Sequence, residues 1–366
     1  KDEAPMSARR VYLDWNATAP LRPEARAAMV AALDVAGNPS SVHSEGRAAR
    51  GLVEAARAEV AALAGAKPSE VVFTSGATEA ARVLAAVPAD HGILVDETAH
   101  DALWAHARTN TGHESPTGPG HIVAMGLANS ETGIITEPPA RIDGRHPFGE
   151  ARADGLLLDI TQAIGRIPFS FHWSGADFAV LSAHKIGGPK GVGALIIRDG
   201  LDPAALQLGG GQELGRRSGT ENVAGIAGFG AAAVAAARDL DAGVWNGVAQ
   251  LRNILENTLG SAAKETIFVG NDRARLPNTS LFVTPGWKGE TQVMQMDLAG
   301  FAVSSGSACS SGKVKQSRVL KAMGLDDRAA ESALRVSLGP TTTEDEVMAF
   351  AVAWLEQEKK FRRRAA

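Results

Sequence analysis

Six short runs in this chain are apolar at every position: Val71-Val72-Phe73, Ile93-Leu94-Val95, Ile122-Val123, Leu156-Leu157-Leu158, Phe178-Ala179-Val180-Leu181 and Ala194-Leu195-Ile196-Ile197. A strand with one wet face alternates apolar and polar residues; these do not, so each strand must be covered on both faces. The covering pattern is present. Leu52, Val53, Ala56, Val60 and Leu63 recur at helical spacing, and Pro23 stands at a first helical position ahead of Met29, Val30 and Leu33. Strands buried on both sides and interleaved with helices give an α/β domain with a mostly parallel central sheet.

Residues 136–155 break the pattern, with Pro138, Pro139, Gly144, Pro147 and Gly149, and read as a loop with at most a short helix. After about Gly230 an Ala-rich helical stretch leads into Leu251, Ile254 and Leu259, followed by strand signals at Leu281-Phe282-Val283 and Leu334-Arg335-Val336. A capping box, Thr343 to Glu346, opens a final helix through Val347, Phe350, Ala351 and Leu355, and Arg362-Arg363-Arg364 reads as a solvated tail. A length of 366 residues favours two or three domains. The division expected is a large domain over 16–239, with 1–15 and 240–366 forming a smaller α+β domain.

Composition removes several classes of function. Lys plus Arg number 37 against 41 Asp plus Glu, a net charge of −4, without the basic excess of a nucleic-acid binder. No membrane-crossing apolar run is evident, and the first ten residues lack a signal peptide's apolar stretch and read as a disordered start. The single cysteine, Cys309, excludes an internal disulfide or a multi-cysteine metal site. A cytoplasmic protein with no metal is expected, with Cys309 either a buried apolar residue or a reactive thiol.

The chemistry begins at Ser182-Ala183-His184-Lys185, directly after an apolar run and followed by Gly187-Gly188-Pro189-Lys190-Gly191. A lysine after a strand means little alone. A lysine among small residues and near another cation can lose its proton and act as an amine nucleophile toward an aldehyde. Pyridoxal phosphate is such an aldehyde, and it also needs a carboxylate beside its ring nitrogen and a cradle for its phosphate. Asp159 ends one strand, where a parallel sheet presents ligand groups, although a helix cap is the plainer reading. Thr74-Ser75-Gly76-Ala77-Thr78-Glu79 opens a helix whose free N–H groups and hydroxyls would suit a phosphate, again with a cap as the plainer reading. His100 could stack on a pyridine ring and pass protons near neutral pH, or be structural. Cys309 lies in Ser304-Ser305-Gly306-Ser307-Ala308-Cys309-Ser310-Ser311-Gly312 with Lys313 and Lys315 nearby, which favours a reactive thiolate on a mobile segment.

In combination, YLDWNATAP, GNPSSVH, FTSGATE, DITQAIGR, SAHKIGGPKGVG, GGGQELGRRSGTEN, VSSGSACSSG and LRVSLG carry a resemblance over nearly the whole chain. The sequence resembles the pyridoxal-phosphate cysteine desulfurases of the class V aminotransferase superfamily, the NifS/IscS-type branch. The resemblance implies the fold type I transferase architecture, pyridoxal 5′-phosphate as cofactor and L-cysteine as substrate. It also implies a homodimer and a sulfur-acceptor protein such as an iron–sulfur scaffold. By position, Lys185 would hold the cofactor covalently, Asp159 would pair with its ring nitrogen, and Gln162 would approach its phenolic oxygen. Ala77, Thr78, Ser182 and His184 would hold the phosphate, with Thr220 reaching the partner subunit's phosphate. His100 would stack on the ring, Asn38 and Arg335 would hold the substrate carboxylate, and Cys309 would accept the sulfur. One position departs: where the family usually carries two asparagines before a glutamate, this chain has Asn129-Ser130-Glu131, so the cofactor-facing position falls on Ser130. A serine hydroxyl lies closer to the backbone than an asparagine amide, so Gln162 is expected to be the main side-chain partner of the phenolic oxygen.

Other readings stand beside this one, the first being another class V enzyme. A selenocysteine lyase would share Cys309, whereas a simple aminotransferase has no need of it. A catalytically silent scaffold would be expected to have lost Lys185, Asp159 or Cys309, and all three are present. A dehydrogenase is the weakest, since Gly209-Gly210-Gly211 lacks the strand-to-helix spacing of a dinucleotide fingerprint.

Overall fold

A computed structural model describes residues 10–108, 120–306 and 316–365. They fall into two compact units, one of Ala19–Asn129 and Thr136–Ala242, the other of Lys1–Thr18, Ser130–Ile135 and Gly243–Ala366. The segment Ser130–Ile135 belongs to the smaller unit, although the sequence division leaves it inside the larger.

All six apolar runs are strands of one sheet in the larger unit. Their order is Val71–Thr74, Gly193–Ile197, Phe178–Ser182, Gly155–Asp159, Ile122–Gly126 and Ile93–Val95. Neighbours from Phe178–Ser182 to Ile93–Val95 run parallel, and Gly193–Ile197 is antiparallel to both of its neighbours. Both faces are covered, as the unbroken apolar runs require. Val72, Ala124, Leu157, Val180 and Leu195 share a core with Ala80, Leu84 and Leu103, while Phe73 on the opposite face meets Phe229 edge-on at 6.2 Å. Removing a ring such as the fully buried Phe229 costs about 3–5 kcal/mol.

Phe229 lies on the helix Val223–Asp241, which packs on the helices Pro23–Leu33 and Ser44–Ala64. By length and composition this helix could cross a membrane, an exception to the expectation that no segment could. It is rich in Ala and Gly, which let helices approach closely: a Cβ on Gly230 would lie 2.7 Å from Ala56 Cα, and one on Gly228 2.5 Å from Met29 Cγ. The Ala-rich stretch is two helices, Val223–Asp241 and Val244–Ala262, interrupted at Gly243, whose φ of +67° ends the run.

A buried ion pair ties the loop around Glu213 to the first strand of this sheet. Arg57 donates to both Glu213 oxygens at 2.7 and 2.8 Å, and the carboxylate also accepts from Phe73 N–H at 2.7 Å. Loss of one partner would strand a buried charge at a cost of about 3–5 kcal/mol.

Residues 136–155 are not only loop. His146–Phe148 and Ala151–Ala153 form a two-stranded antiparallel ribbon, turned at Gly149 with φ +57°. The smaller unit holds an antiparallel sheet in the order Ile267–Phe268, Thr279–Val283, Ala333–Ser337, Ser304–Ser305. Leu281, Val283 and Ala333 pack with Leu320 on one face, and Phe282 meets Trp354 of the final helix, Glu344–Ala365, at 5.3 Å on the other. The capping box is reciprocal, Thr343 N–H to Glu346 Oε2 at 3.0 Å and Glu346 N–H to Thr343 Oγ1 at 3.3 Å. The terminal arginines are helical, in the last turn of that helix: Arg362 pairs with Glu358 at 2.8 Å and with Glu265, while Arg363 and Arg364 are exposed, as a solvated end would be.

Candidate active site

The register of the larger sheet gathers the chemistry along one edge. Thr74 pairs with Gly193, and Gly193 with Ser182; one strand further, Val180 pairs with Asp159, and Asp159 with Gly126. The chain therefore leaves Thr74, Ser182, Asp159 and Gly126 on the same edge, the carboxyl end of the parallel strands. Gly193 lets the turn after Thr74 approach, since a Cβ there would sit 2.5 Å from Leu181 O and 2.6 Å from Gly76 Cα. The Ala77 N–H donates to Ser182 Oγ at 2.8 Å, which leaves the serine hydrogen to donate elsewhere. Thr78 follows in the first turn of the short helix Ala77–Ala80.

Lys185 closes the turn Ala183–Lys185 after the strand Phe178–Ser182. The backbone around it is fixed by five consecutive carbonyls. Ala183 O accepts from Ile186 and Gly188, His184 O from Ala19 at 2.9 Å, Lys185 O from Arg166 at 3.3 Å, and Ile186 O and Gly187 O from Arg22 at 2.8 Å each. His184 is held down to about 4, first by burial and then by the charges of Lys185, Lys190 and Arg166. It is therefore neutral at physiological pH and can both donate and accept. Because the folded value lies below the ordinary 6.5, the unfolded chain takes up a proton first as pH falls, and the folded state loses stability between about 6.5 and 4. Urea unfolding of the cofactor-free protein across that range should show a shallower loss in His184→Asn than in the parent chain. Equal slopes would remove His184 as the source.

Asp159 Oδ1 accepts from Thr161 N–H at 2.9 Å, an Asx turn that aims the carboxylate off the strand end. Three residues on, Gln162 Oε1 accepts from Arg166 at 2.7 Å. His100 caps the helix Asp101–Trp104, its Nδ1 accepting from Ala102 N–H at 3.1 Å, so the neutral ring carries its proton on Nε2. His100 thus has a structural role as a helix cap through Nδ1. Asn129 donates its side-chain amide to Thr98 O at 2.9 Å, holding the turn ahead of His100. Asn38 and Thr220 are exposed on this unit; Asn38 Oδ1 accepts from Ser40 N–H at 2.9 Å.

In the smaller unit Arg335 is 3% exposed and donates to Ser130 O at 2.9 Å and to Asp14 Oδ1 at 2.8 Å. Its Nε is buried and carries no hydrogen bond among the described residues. A second Asp14 oxygen accepts from Ser304 Oγ at 2.8 Å. Ser130 is thus joined to Arg335 through its carbonyl. Cys309 lies outside the described residues. The sequence reading did not identify Arg166 or Asp14. Arg166 stands four residues after Gln162, a spacing that is visible only once the intervening turn is known.

The family model for aminotransferase class V matches residues 11–114 and 119–350, nearly the whole chain. The chain belongs to the class V aminotransferase family. Within this family it is 42% identical to a cysteine desulfurase of Frankia sp. (strain EuIK1), over 92% of this chain and 88% of that protein. It is 39% identical to a cysteine desulfurase of Cereibacter sphaeroides, over 92% and 93% of the two chains. Among solved structures, a NifS-like protein from Rickettsia africae matches with a TM-score of 0.82 at 29% identity, over 95% of this chain and 99% of that one. The α/β fold with its mostly parallel sheet is the fold of these family members.

Proposed function

We propose that the chain is a pyridoxal 5′-phosphate-dependent cysteine desulfurase that converts L-cysteine to L-alanine and takes the sulfur onto Cys309 as a persulfide. The observation that carries this is Lys185 in the turn after one strand, with Asp159 at the end of the strand beside it, in a chain 42% identical to a cysteine desulfurase. The residues present fit the cofactor. Hydroxyls of Thr78 and Ser182 and the neutral His184 supply donors for a phosphate, and Asp159 supplies the carboxylate for a ring nitrogen. The Gln162 amide and Ser130 provide for the phenolic oxygen, and His100 provides a flat ring to stack. Bound pyridoxal phosphate supplies an electron sink for the pair released at the substrate α-carbon.

The protein groups do the rest. Lys185 Nζ is the attachment point and removes the proton from the cysteine Cα. Asp159 holds the proton on the ring nitrogen. Arg335, its guanidinium plane set by Ser130 O and Asp14, takes the substrate carboxylate through its unpartnered Nε, with Asn38 assisting. The Cys309 thiolate attacks the substrate sulfur; an S–S bond forms, the Cβ–S bond breaks with its pair left on carbon, and a proton replaces the sulfur to give alanine. The persulfide then passes to an acceptor protein, of the class that builds iron–sulfur clusters. A persulfide carrier must keep its cysteine reduced between turnovers, which suits the cytoplasm.

A homodimer is part of this reading. Thr220 is exposed on a loop that also presents Leu208, 88% exposed, and Leu214, 74% exposed, apolar surface suited to burial by a second copy that would bring Thr220 to its phosphate. Mixed dimers of Lys185→Ala and Thr220→Ala subunits should recover activity that neither variant has alone, because one of the two sites in the hybrid is intact. A fully active monomer in sedimentation would refute it. The whole reading is tested by the visible spectrum of the purified protein and by release of alanine and sulfide from L-cysteine. A colourless protein that gains no absorbance with pyridoxal phosphate would sink it.

A further inference from the structure

We propose that Arg166 is a positioning residue that fixes the Gln162 amide with its N–H side toward the phenolic oxygen of the cofactor, an assignment that rests on the functional reading above. A glutamine amide offers oxygen on one side and N–H on the other, and only the N–H side can stabilise a phenolate. A guanidinium has donors and no acceptor, so the oxygen must be the end that meets Arg166. The contact is short, 2.7 Å from Nη1 to Oε1, and both side chains are nearly enclosed, Gln162 at 5% and Arg166 at 3% exposure. Charge-assisted bonds of this kind are stronger than neutral ones, and they gain further in a low-dielectric site.

The local chain is built for the contact. Ala163 and Ile164 N–H groups both return to Ile160 O, and Arg166 N–H returns to Ala163 O, so residues 162 and 166 fall one turn apart. Gly165, at φ +71°, permits the tight exit, and a Cβ there would lie 2.9 Å from Ala236 Cβ. The second arm of the guanidinium reaches Lys185 O at 3.3 Å. One buried cation thus sets both the amide of Gln162 and the backbone of the residue that carries the cofactor.

The test is a pH titration of the visible absorbance of the holoenzyme in Arg166→Met, Gln162→Ala, the double variant and the parent chain. Deprotonation of the Lys185–cofactor linkage leaves more negative charge on the phenolic oxygen, which the amide N–H favours. Loss of that bond should therefore raise the pH of the colour change, by about one unit or less for a single hydrogen bond. Arg166→Met and Gln162→Ala should both raise it, and Arg166→Met should raise it by less in the Gln162→Ala background than in the parent chain, the difference being the part that passes through the amide. The direct influence of the Arg166 charge on the ring, on Asp159 and on His184 is present in both backgrounds and cancels in this cycle. An unmoved titration in Arg166→Met, or a shift that survives undiminished in the Gln162→Ala background, overturns the proposal.

Gln162→Glu tests the same contact without touching Arg166. With the guanidinium on the new carboxylate, cofactor affinity of the cofactor-free protein should stay within about tenfold of that of Gln162→Ala. A larger loss would mean that the carboxylate faces the phenolate unpaired, and would also overturn the proposal. Borohydride reduction of the holoenzyme separates this from the functional reading. Label on a residue other than Lys185 refutes that reading, while label on Lys185 with a failed cycle refutes only the role of Arg166.

Discussion

Replacing Lys185 with alanine is expected to cut alanine formation from L-cysteine by at least about 10⁴-fold while leaving a folded protein. Two roles end in one substitution: the amine that holds the cofactor, and the base that takes the Cα proton, which alone is worth roughly 10²–10⁴. The fold should be spared because the turn is fixed through its backbone. Carbonyls from Ala183 to Gly187 are held by Ala19, Arg22, Arg166 and neighbouring N–H groups, and none of these bonds uses the Lys185 side chain. Stability should change by no more than about 1 kcal/mol, as for a side chain outside the core. Cofactor retained without covalent attachment should remain visible in absorbance but resist borohydride reduction. Addition of a small primary amine should restore part of the rate, since it replaces the lost nitrogen without its tether. Turnover above about one per cent of the parent rate without added amine, or borohydride label on another lysine, would show that the attachment point is elsewhere.

What the sequence disclosed and what it concealed follow one physical division. The six strands were legible because burial on both faces leaves no polar residue to blur the run, and Asp159, Ser182 and Lys185 were legible because each follows such a run closely. The ribbon His146–Phe148 with Ala151–Ala153 was hidden by Pro147, since proline argues against a strand except at an edge. Arg362 to Arg364 read as a tail because nothing local shows that Trp287 stacks on Phe361 at 5.5 Å and so holds the end of the helix. Contacts between distant positions were beyond reach altogether. Arg57 and Glu213 are 156 residues apart, and Asp14 and Arg335 are 321 apart, yet each pair meets as ions. His100 is a local case: its Nδ1 caps the helix that begins at the next residue, accepting from Ala102 N–H two positions on.

Cys309→Ala should stop alanine formation nearly as completely as the lysine substitution, but at a later point. Cofactor colour and the spectral change on adding L-cysteine should persist, because the groups assigned to the cofactor and to the substrate carboxylate are other residues: Ser182 and Asp159 on the sheet edge, and Arg335 with Asp14. The step that fails is attack on the substrate sulfur. Removal of a nucleophile typically costs several orders of magnitude, so a fall of at least about 10³-fold in the rate of alanine release is expected. An added thiol should recover only a small fraction, since a tethered group acts with an effective concentration far above any that solution can supply. In the parent chain, one turnover without acceptor should raise the mass by one sulfur, about 32 Da, on the peptide that contains Cys309, a gain absent from the variant. The accompanying product is equally diagnostic. Transfer of sulfur to a thiol leaves the electron pair on carbon and yields alanine, whereas simple elimination of sulfide yields pyruvate and ammonia and needs no thiol. Alanine released by Cys309→Ala at close to the parent rate would mean that another group accepts the sulfur, and pyruvate in place of alanine in the parent chain would place the enzyme in a different reaction class.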